Sequence, residues 1–337
     1  PERSLVESGV LARAREACDR EGLDFGLWTV GLHNSTLGQQ NRDLCIENCF
    51  GDRYTYCLCP SQEPVRAYLQ GVIQDLCTQL RPERIIQEAV GYLGLRHWVH
   101  HELFFAAGDG SLEMLLSLCF CPSCQQRAGA AGLEAGRLRK KVATWGEKLL
   151  HGERGSLPPA FTQSQVPSLL AESPDLAAFM QVRAGSVTEL VADLHATAKE
   201  QGAELDLIPA SFHRPVSQAW LEGALLGKLQ GVSDYLLIPS YFESADQVAA
   251  DLEWAAWLAP ESELVAGLNA CEPAVRSAAG LAAQARACRE AGCRSAWSRV
   301  AGGQELGCRG IYYFNYGLLT RERLAWVGEA NAGVTTT

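Results

Sequence analysis

The chain has 337 residues, 47% of them hydrophobic and 20% charged, which is enough apolar material for a large core. A formal net charge of −10 and the absence of any Lys/Arg run argue against nucleic acid as a partner. No stretch approaches the run of about 18 apolar residues that crosses a membrane, so no membrane partner is expected. The thirteen cysteines are odd in number and irregular in spacing. This is a poor disulfide framework, and it points to a reducing, cytoplasmic setting.

In chain order, Ser4 to Gly22 reads as an amphipathic helix, with Leu5, Leu11 and Ala14 recurring near the helical period. The chain enters that helix from Pro1 with no strand before it, which leads us to expect that N-terminal residues are missing. Strands are expected at Leu23 to Leu32, Arg84 to Val90, Glu204 to Ala210, Asp234 to Ser240, Glu263 to Ala270 and Arg309 to Gly317. Helices are expected between them, at Val65 to Leu80, Ser186 to Gln201, Gln218 to Leu229, Ala245 to Leu258 and Ala274 to Ala291. "GRLRKKV" (Gly136 to Val142) sits in another helical pattern and reads as a solvated face. A long insertion, residues 91–185, follows the second strand, and within it His151 to Ser168 is rich in Pro, Ser and Gly and is expected to be a surface loop.

Near-continuous apolar strands alternating with helices imply a parallel sheet covered by helices. Most of these strands end in polar or aromatic residues: His33 and Asn34, Glu88, Ser211 to His213, Tyr241, Asn269, Asn315 and Tyr316. In a (β/α)8 TIM barrel the C-terminal strand ends build the active site. A doubly wound sheet is less favoured, because no Gly-rich phosphate turn follows any strand. Residues 1–337 are therefore read as a single, partial barrel with six of eight strands.

"SLCFCPSC" (Ser117 to Cys124) packs Cys119, Cys121 and Cys124 into a Cys-x-Cys-x-x-Cys knuckle. Zinc favours four tetrahedral ligands, so three clustered thiols call for a fourth from elsewhere, and "YCLCP" offers Cys57 and Cys59. Buried reduced cysteines are the alternative. Four thiolates leave no open position, so such a zinc would be structural, stapling the insertion to the barrel rim.

Cys59 ahead of a helix, a Glu-bearing strand and then Cys-x-Cys-Pro-x-Cys resemble the cysteine site of glycoside hydrolase family 42 β-galactosidases. There, one upstream cysteine joins the knuckle around a structural zinc, which implies Cys59, Cys119, Cys121 and Cys124 as ligands here. The wider pattern is similar to an uncharacterised bacterial family of glycoside-hydrolase-like TIM barrels. The similarity is carried by "WTVGLHNSTLG", "ENCFGDRYTYCLCP", "RHWVHHE", "SLCFCPSC" and "IYYFNYG". The resemblance implies that the Glu88 strand is the fourth of the barrel and that Glu88 is the catalytic acid/base. The first two strands would then precede this chain.

Glycoside hydrolysis needs two carboxyls. Glu88 is the candidate proton donor, since a carboxyl inside an apolar strand faces the barrel mouth or is desolvated, and burial raises its pKa. The resemblance places the second carboxyl after strand seven, where Glu272 is the nearest acid. Glu102, Glu47 and Asp52 are the alternatives. His97, His100, His101 and Glu102 form a polar cluster suited to binding sugar hydroxyls or a metal. His33, Asn34, Asn315 and the aromatic faces of Trp28, Tyr92, Tyr241 and Tyr316 complete the expected lining for a small carbohydrate substrate, with Trp98 and Tyr312 as further candidate faces. The expected function is a glycoside-hydrolase-like enzyme. A metal-dependent sugar isomerase or lyase and a non-catalytic sugar-binding barrel are the alternatives.

Overall fold

The six expected strands all form, and they lie side by side in one parallel sheet. A computed structural model describes residues 9–95, 110–151, 159–211, 215–294, 300–301, 304–305 and 308–332. Helix α1 (Val10–Glu21) leads into β1 (Gly26–Val30), then α2 (Ser35–Gln40), a hairpin of β2 (Cys45–Glu47) and β3 (Arg53–Leu58), α3 (Glu63–Leu80) and β4 (Arg84–Glu88). Five helices follow: α4 (Gly110–Leu116), α5 (Pro122–Ala130), α6 (Ala135–His151), α7 (Pro159–Glu172) and α8 (Pro174–Glu200). The chain continues through β5 (Glu204–Leu207), α9 (Leu226–Leu229), β6 (Tyr235–Pro239), α10 (Ala245–Leu258), β7 (Glu263–Asn269) and α11 (Ala278–Arg294). A two-residue ladder of β8 (Val300–Ala301) and β9 (Gln304–Glu305) precedes β10 (Cys308–Phe314) and α12 (Arg321–Ala332).

The sheet order is β1-β4-β5-β6-β7-β10, with every pairing parallel. Alternate residues of each strand serve opposite faces. Leu27, Ile85, Leu205, Leu236 and Leu264 pack outward against helical residues such as Val187, Leu190 and Leu252 in the main core. Ile86, Ile208, Leu237 and Val265 point to the other face, with Tyr235 and Tyr312 beside them. That second face is concave. The Tyr312 hydroxyl, on β10, donates to Asp206 Oδ2 on β5 at 3.0 Å, reaching over the two intervening strands. The result is a curled half-barrel with helices on its convex side.

Four features differ from the sequence expectation. The β2–β3 hairpin was not expected, because its strands are short and mix polar residues with cysteine. Its turn is held by Asn48 Oδ1, which accepts from the backbone N–H groups of Phe50 (2.9 Å) and Asp52 (3.0 Å). The expected loop over 151–168 is in part helix α7, which accommodates Pro167 in its interior. Helix α8 runs unbroken through residue 185, so the expected insertion boundary falls inside a helix. The expected helix at Gln218 to Leu229 is instead a 3-10 turn (Val216–Glu222) and the short α9, separated at Gly223, whose φ is +82°.

The helices after β4 have their own apolar cluster, in which Phe120 and Phe179 stack at 5.1 Å and Leu116, Leu138, Val142 and Leu176 surround them. The join between this cluster and the sheet is close. Tyr92 N–H donates to the Glu222 carbonyl at 2.8 Å, and a Cβ on Gly91 would lie 2.5 Å from that same oxygen. Gly91→Ala should therefore destabilise the protein by about 1–3 kcal/mol, the usual cost of overpacking against backbone. Thermal denaturation of the two proteins side by side checks this.

Candidate functional site

Helices occupy the convex face, so the concave face and the C-terminal strand ends are left to form a cavity. It has a volume of about 530 Å3 and takes Trp28 from β1, Glu88 from the end of β4, and Tyr241 from beyond β6. Tyr312 and Phe314 of β10 and the following Asn315 and Tyr316 close its far side, over a floor that includes Ile208 and Leu237. Phe314 stacks on Tyr241 at 5.6 Å and meets Trp28 at 6.2 Å. Tyr316 stands at the rim, 76% exposed.

Glu88 has even parity with Arg84 and Ile86, which places it on the concave face. Trp28 Nε1–H donates to Glu88 Oε2 at 2.8 Å. Burial raises the Glu88 pKa above 4.5, and the indole hydrogen bond offsets part of that rise. Among the described residues Glu88 is the one carboxylate lining the cavity. Asp206 lies beneath it, fully buried, bound to Arg84 at 3.0 Å and to the Tyr312 hydroxyl, with burial raising its pKa.

The other expected acids lie elsewhere. Glu272 is 68% exposed at its side chain and pairs with Arg323 at 3.0 Å, outside the cavity lining. Glu47 is engaged by Arg53 (2.7 Å) and Arg139 (2.9 Å). Asp52 accepts from Asn48 Nδ2 at 3.1 Å. The β7 end, where the resemblance implies a nucleophile, carries Asn269, whose Oδ1 accepts from Cys271 N–H at 2.9 Å. Glu102, His97, Trp98, His100, His101 and His213 fall outside the described residues.

Three of the expected substrate contacts are placed in other roles. Asn34 caps α2, its Oδ1 accepting from Leu37 N–H at 3.0 Å. His33 forms a backbone bridge with Cys57 and is absent from the cavity lining. Tyr92 is buried beneath the sheet rim, its hydroxyl 2.8 Å from Ser61 Oγ and 3.6 Å from Cys124 Sγ. The chain turns at Ala89, whose φ of +55° is left-handed, so strand parity no longer predicts direction beyond Glu88. Asn315 lines the cavity while its Oδ1 also accepts from Gly317 N–H at 2.9 Å. Phe314 was missed by the sequence reading, although its even spacing from Tyr312 in "IYYFNYG" puts both on one face.

The second constellation is the thiol cluster. Cys59 ends the hairpin, and its N–H donates to the Leu44 carbonyl at 2.9 Å. Cys121 caps α5, where Pro122 occupies the first turn, and Cys124 follows within that turn. The sulfurs of Cys59, Cys119, Cys121 and Cys124 all lie within 4.8 Å of one another, buried and free of disulfides. Cys59 Sγ is 3.5 Å from Cys124, 3.7 Å from Cys121 and 3.8 Å from Cys119. Four sulfurs held tetrahedrally at a metal–sulfur distance of about 2.3 Å would be about 3.8 Å apart, so the donor set fits a closed four-thiolate metal centre.

Two groups around the sulfurs are hydrogen-bond donors, as thiolates require. The backbone N–H of Glu47 points at Cys119 Sγ (3.5 Å) and Gln62 Nε2 at Cys121 Sγ (3.8 Å), while the Cys124 thiol donates to Ser61 Oγ at 3.4 Å. Hydrogen bonding within the cluster, led by Cys119, lowers the pKa values of Cys121 and Cys124, while burial raises those of Cys59 and Cys119.

No family model matches this sequence, and no curated protein matches it. Its fold is similar to the catalytic domain of β-amylase from Paenibacillus polymyxa, with a TM-score of 0.60 at 12% identity over 97% of this chain and 86% of that one. It is also similar to the PgaB (BpsB) glycoside hydrolase domain from Bordetella bronchiseptica, with a TM-score of 0.56 at 13% identity over 94% and 75% of the two chains. A β-galactosidase from the haloarchaeon Halorubrum lacusprofundi gives a TM-score of 0.54 at 13% identity over 93% of this chain and 46% of that one. At these identities the likeness is one of fold alone, a TIM-barrel architecture. No helix among the described residues is long and apolar enough to cross a membrane.

The raised pKa of Glu88 has a direct consequence for stability. The folded state holds the Glu88 proton more tightly than the unfolded chain does, so this group's contribution diminishes as pH rises above 4.5. Glu88→Gln removes the titration. Its melting temperature should match the wild type below pH 4 and exceed it once pH has risen above 4.5, as read from paired melts on either side of that value.

Proposed function

We propose that the chain acts on a carbohydrate, with Glu88 as proton donor and a structural zinc in the four-thiol centre. The observation that carries this reading is the Glu88 carboxyl itself. It ends a barrel strand inside an aromatic cleft, with Oε2 fixed by Trp28 and no protein partner for Oε1 among the described residues. Burial moves the Glu88 pKa upward, the direction that suits a carboxyl for delivering a proton to a leaving glycosidic oxygen. The faces of Trp28, Tyr241 and Phe314 offer flat apolar surface for a sugar ring, and Asn315 offers a side-chain amide for a hydroxyl.

Hydrolysis also needs a second carboxyl, about 5–9.5 Å from the first depending on stereochemical course. Glu102 is the residue proposed for that place. The second reading is a barrel that binds sugar without cleaving it. It is favoured by Asn269 at the end of β7 and by the engagement of Glu272 with Arg323. The isomerase reading rests on His97, His100 and His101 and has no geometry in its support.

Zinc is proposed because four thiolates in a closed tetrahedron suit it better than they suit hard cations. The metal would hold the hairpin end at Cys59 to the start of α5, taking no part in the chemistry.

Two outcomes follow. Against a panel of chromogenic glycosides, Glu88→Gln should lower turnover by at least about 10²-fold, the usual contribution of a general acid, with metal content unchanged. Wild-type turnover in that variant discards Glu88 as proton donor, and sugar binding without cleavage by the unaltered protein selects the second reading. About one zinc per chain should be found by elemental analysis and be lost in Cys121→Ser.

A further inference from the structure

Arg183, on α8, is the largest fully buried side chain in the protein, 1% exposed. Its Nη2 donates to the carbonyls of Leu221 (3.1 Å) and Ser117 (3.3 Å), and Nη1 lies 3.3 Å from Met180 Sδ. Its Nε has no hydrogen-bond partner. The guanidinium carbon sits 4.5 Å from the centre of the Tyr92 ring, and the hydroxyl of that ring reaches Cys124 Sγ. No carboxylate pairs with Arg183 among the described residues.

A cation buried away from water and without a counter-charge is strongly unfavourable. Carbonyls and an aromatic face offset part of that penalty and leave the charge itself uncompensated. The Tyr92 ring on which the guanidinium sits leads from it to the Cys124 sulfur of the cluster. Four thiolates around a divalent ion carry a net charge of −2, itself costly to bury, and one guanidinium halves it.

We infer that Arg183 is the charge-compensating residue of the four-thiol metal centre. With the ion bound, guanidinium and thiolates stabilise one another. Without it Arg183 is left as a lone buried cation. The inference rests on the reading of the cluster as a metal centre. It also explains why a long, always-charged side chain stands where an apolar one would pack. Arg183 acts through the thiolates and touches no metal, so its role is to position and to balance charge. It further ties the centre to the cavity side. Ser117 lies two residues ahead of Cys119, and Leu221 precedes Glu222, whose carbonyl accepts from Tyr92 N–H and whose carboxylate accepts from Ser211 N–H at the end of the β5 loop.

The test compares the unaltered chain with Arg183→Met, Arg183→Lys and Arg183→Gln. Zinc affinity is read by chelator competition, and melting temperature is read with zinc and after its removal under reductant. Arg183→Met should weaken zinc binding at least about tenfold, the usual effect of losing an outer partner of a metal site. Arg183→Lys, which keeps the charge, should stay within about threefold of the unaltered protein. The melting temperature of Arg183→Met should fall with zinc bound and rise without it, because only the metal-free state gains from losing a lone cation. A merely structural brace would lower both. Unchanged zinc affinity in Arg183→Met, or an equal loss of stability with and without zinc, overturns the inference and leaves the metal centre standing. Should Arg183→Met fail to fold, Arg183→Gln keeps a donor for the two carbonyls without the charge. Zinc affinity of the Gln variant equal to that of Lys then overturns the inference. An unaltered protein that binds no zinc overturns the metal reading and the inference together.

Discussion

Four thiols gathered at a seam are the feature on which the surrounding structure depends. They join two pieces of chain distant in sequence: the end of the β2–β3 hairpin, and the coil that runs into the first turn of α5. Each piece is too short to be ordered by its own apolar burial, and the hairpin has only two short strands. The seam brings the start of α5 against the hairpin end at Cys59. Ser61 and Tyr92 connect it inward, and Tyr92 lies four residues past Glu88. Order at the sulfurs therefore extends to the strand end that presents the carboxyl.

The concave face shows a second compromise. A half-barrel leaves its inner face open over part of its circumference, and the inner residues must either be covered or be useful. The lower layer is satisfied internally, with Asp206 held between Arg84 and Tyr312. The upper layer is left aromatic and, among the described residues, contains one acid with a single hydrogen bond. That contrast is why the functional reading centres on Glu88. Asp206 is buried and Glu88 half-buried, and burial raises both pKa values, but Asp206 has its partners already and Glu88 Oε1 has none among the described residues.

Sequence made the strands legible because each is a short, near-continuous apolar run, and a carboxyl inside such a run, as at Glu88, must have a special environment. Cys59, Cys119, Cys121 and Cys124 were legible from ligand chemistry and from resemblance together, since spacing alone left Cys57 and Cys59 open. Direction was the illegible part. Asn34, His33 and Tyr92 sit just past strand ends, where the chain turns and alternation no longer holds, as the left-handed Ala89 makes plain. Glu272 was drawn into the site by type and proximity, and a surface arginine, Arg323, engages it instead. Arg183 carried no signal, because an arginine inside an apolar helix reads as exposed until the packing is known.

The central claim is that the four sulfurs together hold one zinc ion, and X-ray absorption at the zinc edge of the purified chain measures this most directly. The account predicts a first shell of four sulfur scatterers at about 2.3 Å and no lighter ligand. A shell containing nitrogen or oxygen at about 2.0–2.2 Å, or a protein free of zinc with its thiols intact, would contradict it.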